Sequence, residues 1–324
     1  MIIYSPAYLK HHLRGHSENK YRLKAIIELL RKEKLEFVEP VKASEEDILR
    51  VHSLQHYLNI KKLSEQEKGV DADTYLNKNS FEVALLAAGG AIKALDYKRA
   101  FALVRPPGHH ATIDKAMGFC LFNNVAVASA YAIEKKTAKR VFILDIDVHH
   151  GNGTEQIFYS RNDILYLSLH QHPLFPGTGY IADTGEGIGE GYNINIPMPP
   201  GTDDSSYLYA FEEIVVPVMK QFKPELVVVS AGYDGHALDP LANFMLTEQT
   251  YFKIAKFLKG YGVRVTFVLE GGYNPDALAY SVYSTLSPLF NLDFNEIEIE
   301  REPSNEIQNI VEKVKNQLST WWDF

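Results

Sequence analysis

Val141-Phe142-Ile143-Leu144-Asp145-Ile146-Asp147-Val148-His149-His150-Gly151-Asn152-Gly153 begins as an apolar run and ends in carboxylates, imidazoles and glycines. Near-continuous apolar runs of this length are expected of parallel strands buried on both faces. Four other segments repeat the plan. Arg99–Val104 leads into Arg105-Pro106-Pro107-Gly108-His109-His110, and Ile164–Leu169 into His170-Gln171-His172. Leu226–Ala231 leads into Gly232-Tyr233-Asp234-Gly235-His236, and Val263–Leu269 into Glu270-Gly271-Gly272-Tyr273-Asn274. A weaker strand is expected at Asn193–Ile196. Helical stretches near 121–136, 204–222 and 247–260 separate the strands, so the fold class is α/β. We expect a three-layer α/β/α arrangement around a mainly parallel sheet. In such a sheet all strands end on one edge, where ligands bind. Five polar strand ends therefore predict one site.

Outward from the strands, Leu23, Ile26, Ile27 and Leu30 form the apolar stripe of an amphipathic helix. Residues 45–65 read as helical, and another helix is expected over Phe81–Leu95, its Gly89-Gly90 pair permitting close packing. Met1–Pro6 reads as a short first strand, and Pro217 implies a kink in the helical stretch around it. Residues 291–305 are acidic and irregular, and Ile307–Leu318 reads as a terminal helix. Trp321 and Trp322 either dock this tail or serve an oligomer interface. With no linker and no repeat, residues 1–324 are expected to form one domain, with a helical tail over about 305–324.

Of the 324 residues, 46% are hydrophobic and 23% charged, ordinary globular values that exclude disorder and collagen-like repeats. Cys120 is the one cysteine, which rules out a disulfide framework and C-x-x-C motifs; it is expected to be a packing residue rather than a nucleophile. Lysine and arginine number 33 against 41 acidic residues, a formal charge of −8, which argues against tight nucleic-acid binding. No apolar run approaches the roughly 18 residues of a membrane span, and the first residues do not read as a signal peptide. The expectation is a cytoplasmic enzyme that binds neither membrane nor nucleic acid.

Asp145, Asp147 and His149 alternate with Ile146 and Val148, so an extended segment would place all three on one face. Joined by the remote Asp234, Asp147 and His149 offer oxygen and nitrogen donors to a divalent ion, and three protein ligands leave a position for water. His109-His110 follows a Pro-Pro-Gly turn, with Asp145 and Asn152 available as partners. A histidine poised near neutral pH is the usual general base. Tyr273 follows two glycines that allow its ring close to a ligand, where a phenol can donate to an oxyanion.

Together these segments closely resemble the zinc-dependent histone deacetylase superfamily, which includes the acetylpolyamine amidohydrolases and shares the arginase/deacetylase-like fold. The resemblance covers about residues 10–290. It rests on Arg105–Ala111, Gly118-Phe119-Cys120, Asp145–Thr154, Phe175–Gly179, Ser230–Asp234 and Glu270–Tyr273. Asn152, Glu270 and Gly15-His16-Ser17-Glu18 look more like the class II branch. The resemblance implies one zinc ion on Asp147, His149 and Asp234, with His109, His110 and Tyr273 catalytic and Asp145 and Asn152 supporting them. It implies a tunnel walled by Phe119 and Phe175, with Gly118 and Leu241 nearby, and a rim carboxylate at Asp73. A structural K+ or Na+ would sit at Asp145, Ser168 and the main-chain oxygens of Asp147, His149 and Leu169. Because Asn152 is a neutral amide, the pattern leaves open which histidine is base and which is acid.

The implied reaction is hydrolysis of an acyl-lysine or related amide, the substrate being an acetylated protein or peptide, a polyamine or another small amine. His172, Leu174 and the loop 185–191 are expected to shape the mouth. A rival is a binuclear ureohydrolase of the arginase type, but Gly151 and His236 stand where further carboxylates would be needed. An inactive acyl-lysine reader is the second rival.

Overall fold

The computed structural model describes residues 1–324. Its strands are β1 (Ile2–Ile3), β2 (Phe37–Val38), β3 (Arg99–Ala102), β4 (Val141–Asp145), β5 (Ile164–Gln171), β6 (Asn193–Met198), β7 (Leu226–Ala231) and β8 (Arg264–Leu269). They form one sheet in the order β2-β1-β3-β8-β7-β4-β5-β6, and every pairing is parallel. The helices are α1 (Lys20–Leu30), α2 (Glu45–Leu49), α3 (Leu54–Glu65), α4 (Ser80–Ala94), α5 (Asn124–Glu134) and α6 (Asn152–Phe158). They continue with α7 (Asp204–Ala210), α8 (Val216–Phe222), α9 (Glu248–Tyr261), α10 (Pro275–Phe290) and α11 (Asn305–Leu318).

The strand order explains the two helical layers. The chain moves one way along the sheet through β3, β4, β5 and β6, then returns to insert β7 and β8 between β3 and β4. Right-handed crossovers running in opposite directions put their helices on opposite faces. Accordingly α4, α5 and α6 pack together, and so do α1, α7, α9 and α10. The insertion also makes the ends of β3, β8, β7 and β4 consecutive neighbours. That brings four polar segments from distant parts of the sequence to one edge.

Local details follow the side chains. A Cβ on Gly89 would lie 1.9 Å from the Val41 carbonyl oxygen, and one on Gly90 would lie 2.6 Å from the Tyr8 hydroxyl. Both glycines therefore allow α4 to approach its neighbours. The expected break near Pro217 is a π-helical turn over Phe211–Val215, whose wider register precedes the proline in the first turn of α8. Helix α10 starts with Pro275 in its first turn, and the Asn274 side chain caps it by accepting from the amides of Asp276 and Ala277. Helix α11 buries Ile307, Val311, Val314 and Leu318 and packs against the edge strand β6. The Trp322 indole donates to the Gly191 carbonyl at 2.7 Å, and Trp321 packs on the same glycine. The two tryptophans thus dock the tail on its own chain. No helix is long and apolar enough to cross a membrane.

Candidate active site

Strand β4 ends at Asp145, one residue earlier than the apolar run suggests, so Asp147 and His149 lie on a bend and not on an extended segment. Turn hydrogen bonds, not strand alternation, gather the side chains. The Asp147 amide donates to Asp145 Oδ1 (3.2 Å), the His149 amide to Asp147 Oδ1 (2.9 Å) and the Val148 amide to Asp234 Oδ1 (3.0 Å). His149 Nδ1 then lies 3.2 Å from Asp147 Oδ1 and 3.1 Å from Asp234 Oδ2.

Glycines make room for this cluster. A Cβ on Gly232 would lie 2.0 Å from Asp147 Oδ2, and one on Gly271 would lie 2.0 Å from Asp234 Oδ2. Asp147, His149 and Asp234 are the one group whose ligand atoms converge, all within 4.8 Å of one another. Two buried carboxylates facing a single imidazole nitrogen call for a cation between them. Without one, protons fill the role. Burial disfavours the His149 charge, but hydrogen bonds and charges from Asp147 and Asp234 outweigh it and hold its pKa up to about 10. Burial and the Asp147 charge raise Asp234 to about 6. The donor set and the crowding both fit a divalent metal ion.

The two tandem histidines differ in their partners. His109 Nδ1 lies 3.2 Å from Asp145 Oδ2, and its Nε2 is 3.8 Å from Asp147 Oδ1. Burial opposes its charge, yet Asp147 and Asp145 raise its pKa to about 10. His110 Nδ1 donates to the Asn152 amide oxygen at 2.8 Å. Burial and the charges of His109 and His149 keep His110 well below the usual imidazole range. It is a neutral ring whose Nε2 lone pair is free.

Above this floor is a cavity of about 490 Å³, lined by His110, His149, Gly118, Phe119, Phe175, Leu241, Tyr273 and Asp73 among others. A Cβ on Gly118 would lie 2.4 Å from the His110 ring and 3.0 Å from Phe175, so only glycine passes there. Phe119 holds a left-handed backbone (φ +68°), a conformation that costs a non-glycine residue about 1–3 kcal/mol. Tyr273 meets Phe119 edge to face at 5.6 Å, and its amide donates to Asp239 Oδ2 at 2.6 Å. Its hydroxyl has no hydrogen-bond partner in the chain, and burial keeps the phenol well above its ordinary pKa, hence protonated.

Residues 16–289 match the family model described as the histone deacetylase domain. The chain belongs to the histone deacetylase family. It is 43% identical to a probable deacetylase of Methanothermobacter thermautotrophicus, with 100% of both chains covered. It is 40% identical to a histone deacetylase-like amidohydrolase of Pseudomonas aeruginosa, over 80% of this chain and 73% of that one. The crystal structure of the HDA15 HD domain superposes with a TM-score of 0.92 at 34% identity, covering 99% of this chain and 96% of that one. This is a family of deacetylases and amidohydrolases, and the chain carries its fold.

Several placements in this deacetylase-family chain refine the sequence reading. Leu174 does line the cavity, whereas His172 packs on Tyr180 (5.3 Å) and the 185–191 loop packs on Tyr159, Arg161 and Trp321. That loop belongs to the tail dock and not to the mouth. Cys120 is buried, as expected of a packing residue. His236, the position where a second metal would need a ligand, turns to Glu248 (3.4 Å). Asp145 and Ser168 are buried neighbours in the β4–β5 register, Asp145 accepting from the Tyr166 hydroxyl at 3.2 Å and Ser168 bonding to His170 at 2.9 Å.

A buried ion network was not visible in the sequence, because nothing there tells a buried charge from a solvated one. Glu18 binds Arg105 through two bonds (2.5 and 2.6 Å) and Arg22 through one (3.1 Å). Arg22 also donates to the carbonyls of Gly272 (2.6 Å) and Glu270 (2.5 Å), and its guanidinium lies 4.9 Å from the Tyr273 ring centre. Glu270 in turn accepts from the amides of Gly108 (2.6 Å) and His109 (3.2 Å). Glu18→Gln should leave two buried guanidinium groups undercompensated and destabilise the fold by about 3–5 kcal/mol. Denaturant unfolding measures this, and a loss below about 1 kcal/mol would show that the network is not structural.

Proposed function

We propose that the chain is a zinc-dependent deacetylase that removes acetyl or longer acyl groups from lysine side chains of proteins or peptides, or from a related acetylated amine such as a polyamine. One observation carries this reading: a three-donor metal site, a neutral histidine and an unpartnered phenol share the floor of one largely apolar cavity. Asp147, His149 and Asp234 would hold the zinc. When bound, zinc polarises the acyl oxygen and lowers the pKa of the attacking water.

The chain's own groups do the rest. The cavity walls, Phe119 and Phe175, take the methylene stem of the substrate, with Gly118 and Leu241 beside them. The free Asp73 carboxylate at the rim accepts from the substrate backbone; neighbouring Asp71 is occupied by the amides of Asp73 and Thr74. His110, with Nδ1 donated to Asn152, takes the proton of the attacking water at Nε2 and passes it to the leaving amine. His109, oriented by Asp145 through Nδ1 at 3.2 Å, turns its Nε2 toward the negative charge that develops beside it. The Tyr273 hydroxyl donates to the acyl oxygen as it becomes an oxyanion. Acetate and a free amine leave. A structural K+ or Na+ at Asp145, Ser168 and the oxygens of Asp147, His149 and Leu169 fits one further fact. The Asp147 and His149 carbonyls accept no hydrogen bond from the chain.

Turnover of acetyl-lysine peptides, acetylated polyamines and longer acyl-lysines by the zinc-loaded protein tests the proposal, and silence on all of them would leave the acyl-lysine reader. Metal content should be about one equivalent; two would favour the ureohydrolase arrangement.

Zinc affinity should also depend on pH with a defined sign. Between about pH 6 and 10 the metal-free site holds its proton on His149 while Asp234 is ionised. Binding displaces that proton, so affinity should rise about tenfold per pH unit, and more steeply below pH 6 where Asp234 also protonates. Competition with a chelator at several pH values measures the slope. A flat profile from pH 6 to 9 would remove His149 from the ligand set.

A further inference from the structure

The segment from Gly108 to Asn123 carries His109 and His110 at its start and Gly118 and Phe119 at its tip, then returns to start α5. Its two ends are anchored differently. The histidine end is fixed from the site itself. Glu270 accepts from the amides of Gly108 and His109, the His109 carbonyl accepts from the amides of Gly153 and Thr154, and His110 is held by Asn152. On the metal side the tip meets the site through weaker side-chain contacts, Asn152 Nδ2 to Met117 Sδ at 3.6 Å and the Phe119 ring on Tyr273 at 5.6 Å.

Across the base of this loop lie two buried histidines that the proposed reaction does not use. His52 Nε2 accepts from the Asn123 amide at 2.9 Å, which requires its proton to be on Nδ1, and Nδ1–H donates to the Thr112 carbonyl at 2.8 Å. One neutral ring thus bridges the two strands of the loop eleven residues apart. His56, one turn later on α3, donates from Nε2 to the Leu121 carbonyl at 2.8 Å, and the Ser53 amide donates to the Ile113 carbonyl at 3.0 Å. The rings lie 4.9 Å apart, each packed against Phe122 at 5.6 Å. At the tip, the left-handed Phe119 is held by its own amide, which donates to the buried Thr74 hydroxyl at 3.2 Å. A strained residue keeps its conformation only where its surroundings over-determine it.

We propose that His52, assisted by His56, is a positioning residue for substrate binding: it clamps the base of the 112–123 loop and so holds the Gly118–Phe119 wall of the cavity at the width that grips the acyl-lysine stem. The proposal rests on the acyl-lysine reading of the cavity. Because the proton-handling histidines have anchors of their own, the clamp governs binding far more than the chemical step.

The test compares wild type, His52→Phe and His52→Gln, each zinc-loaded, on the best acetyl-lysine peptide. Phenylalanine keeps a ring in the space but removes donor and acceptor; glutamine supplies one of each. His52→Phe should raise KM about tenfold or more with kcat within about threefold, and should weaken direct binding of the peptide to the same degree, whereas His52→Gln should recover most of both. A merely structural role would lower the melting temperature and the yield of active protein but leave KM and the binding constant of the folded fraction in place, and that result overturns the proposal. If His52→Phe does not fold, Thr74→Val removes the acceptor at the tip itself and should show the same rise in KM; an unchanged KM there also overturns it. A wild-type protein inactive on every acyl-lysine refutes the functional reading, which is distinguishable from an active wild type whose variants bind normally.

Discussion

Asp234→Asn should give a folded protein that no longer retains zinc and has no measurable turnover. Asparagine can keep the one bond that supports the fold locally, since its carbonyl oxygen still accepts from the Val148 amide where Asp234 Oδ1 does at 3.0 Å. What changes is the other atom. Asp234 Oδ2, 3.1 Å from His149 Nδ1, becomes an amide nitrogen that points a donor where a metal ligand is needed. One of two buried negative charges is lost, and Gly232 and Gly271 leave no space for another side chain to move in. The cost in zinc affinity should exceed the roughly 10–100-fold that follows loss of an outer hydrogen-bond partner. A ligand at 1,000 times its Kd stabilises by about 4 kcal/mol, so zinc should raise the wild-type melting temperature and leave the variant's unmoved. In the metal-free proteins the carboxylate acts both ways. Asp234 is raised to about 6 in the folded state, so above that value its buried charge opposes folding, yet the same charge supports the His149 imidazolium 3.1 Å away. The two effects offset, so at pH 7 the metal-free variant and metal-free wild type should melt close together. Elemental analysis and thermal melts with and without zinc check both halves. A variant that keeps one equivalent of zinc would remove Asp234 from the metal site.

How legible this site was depends on the range of the interaction. The strand runs and their polar ends are local patterns, so Asp145, Asp147, His149, Asp234 and Tyr273 could be assembled on one sheet edge from the sequence. The resemblance then added the cavity walls, and the structure does bring Gly118, Phe119, Phe175, Leu241 and Asp73 to one cavity. The insertion of β7 and β8 between β3 and β4 has no local signature, because parallel strands look alike whatever their neighbours. The edge strand β2 is two residues long, too short for a period to register, whereas β1 falls inside the short first strand expected over Met1–Pro6. The Glu18–Arg22–Arg105 network needs burial to be recognised, and an i, i+4 Glu–Arg pair is far more often a solvated helix pair. The bend after Asp145 was misread for a related reason: alternation of polar and apolar residues persists past the strand end, where hydrogen bonds to Asp145 and Asp147 take over from the ladder.

Tyr273→Phe should lower kcat by about 10²–10³-fold, equivalent to roughly 3–4 kcal/mol of transition-state stabilisation, while zinc content and folding stay unchanged. The substitution is close to a single-atom change at this position. The ring keeps its edge-to-face contact with Phe119 at 5.6 Å and its place beside the Arg22 guanidinium at 4.9 Å, and phenylalanine supports both contacts. The backbone keeps its bond to Asp239, since that donor is the Tyr273 amide. The hydroxyl itself makes no bond within the chain, so its loss leaves no buried partner unsatisfied, and the stability cost should stay within about 0.5 kcal/mol. Burial keeps the phenol protonated throughout the working pH range, so the donor is present at every pH where the enzyme acts. In the proposed mechanism that donor meets full negative charge only as the acyl oxygen becomes an oxyanion. Ground-state binding of an acyl-lysine peptide should therefore weaken far less than kcat, and KM should move little. A variant with wild-type kcat on the best substrate would show that another group supplies the second electrophile, and the unpartnered phenol would then need a different explanation.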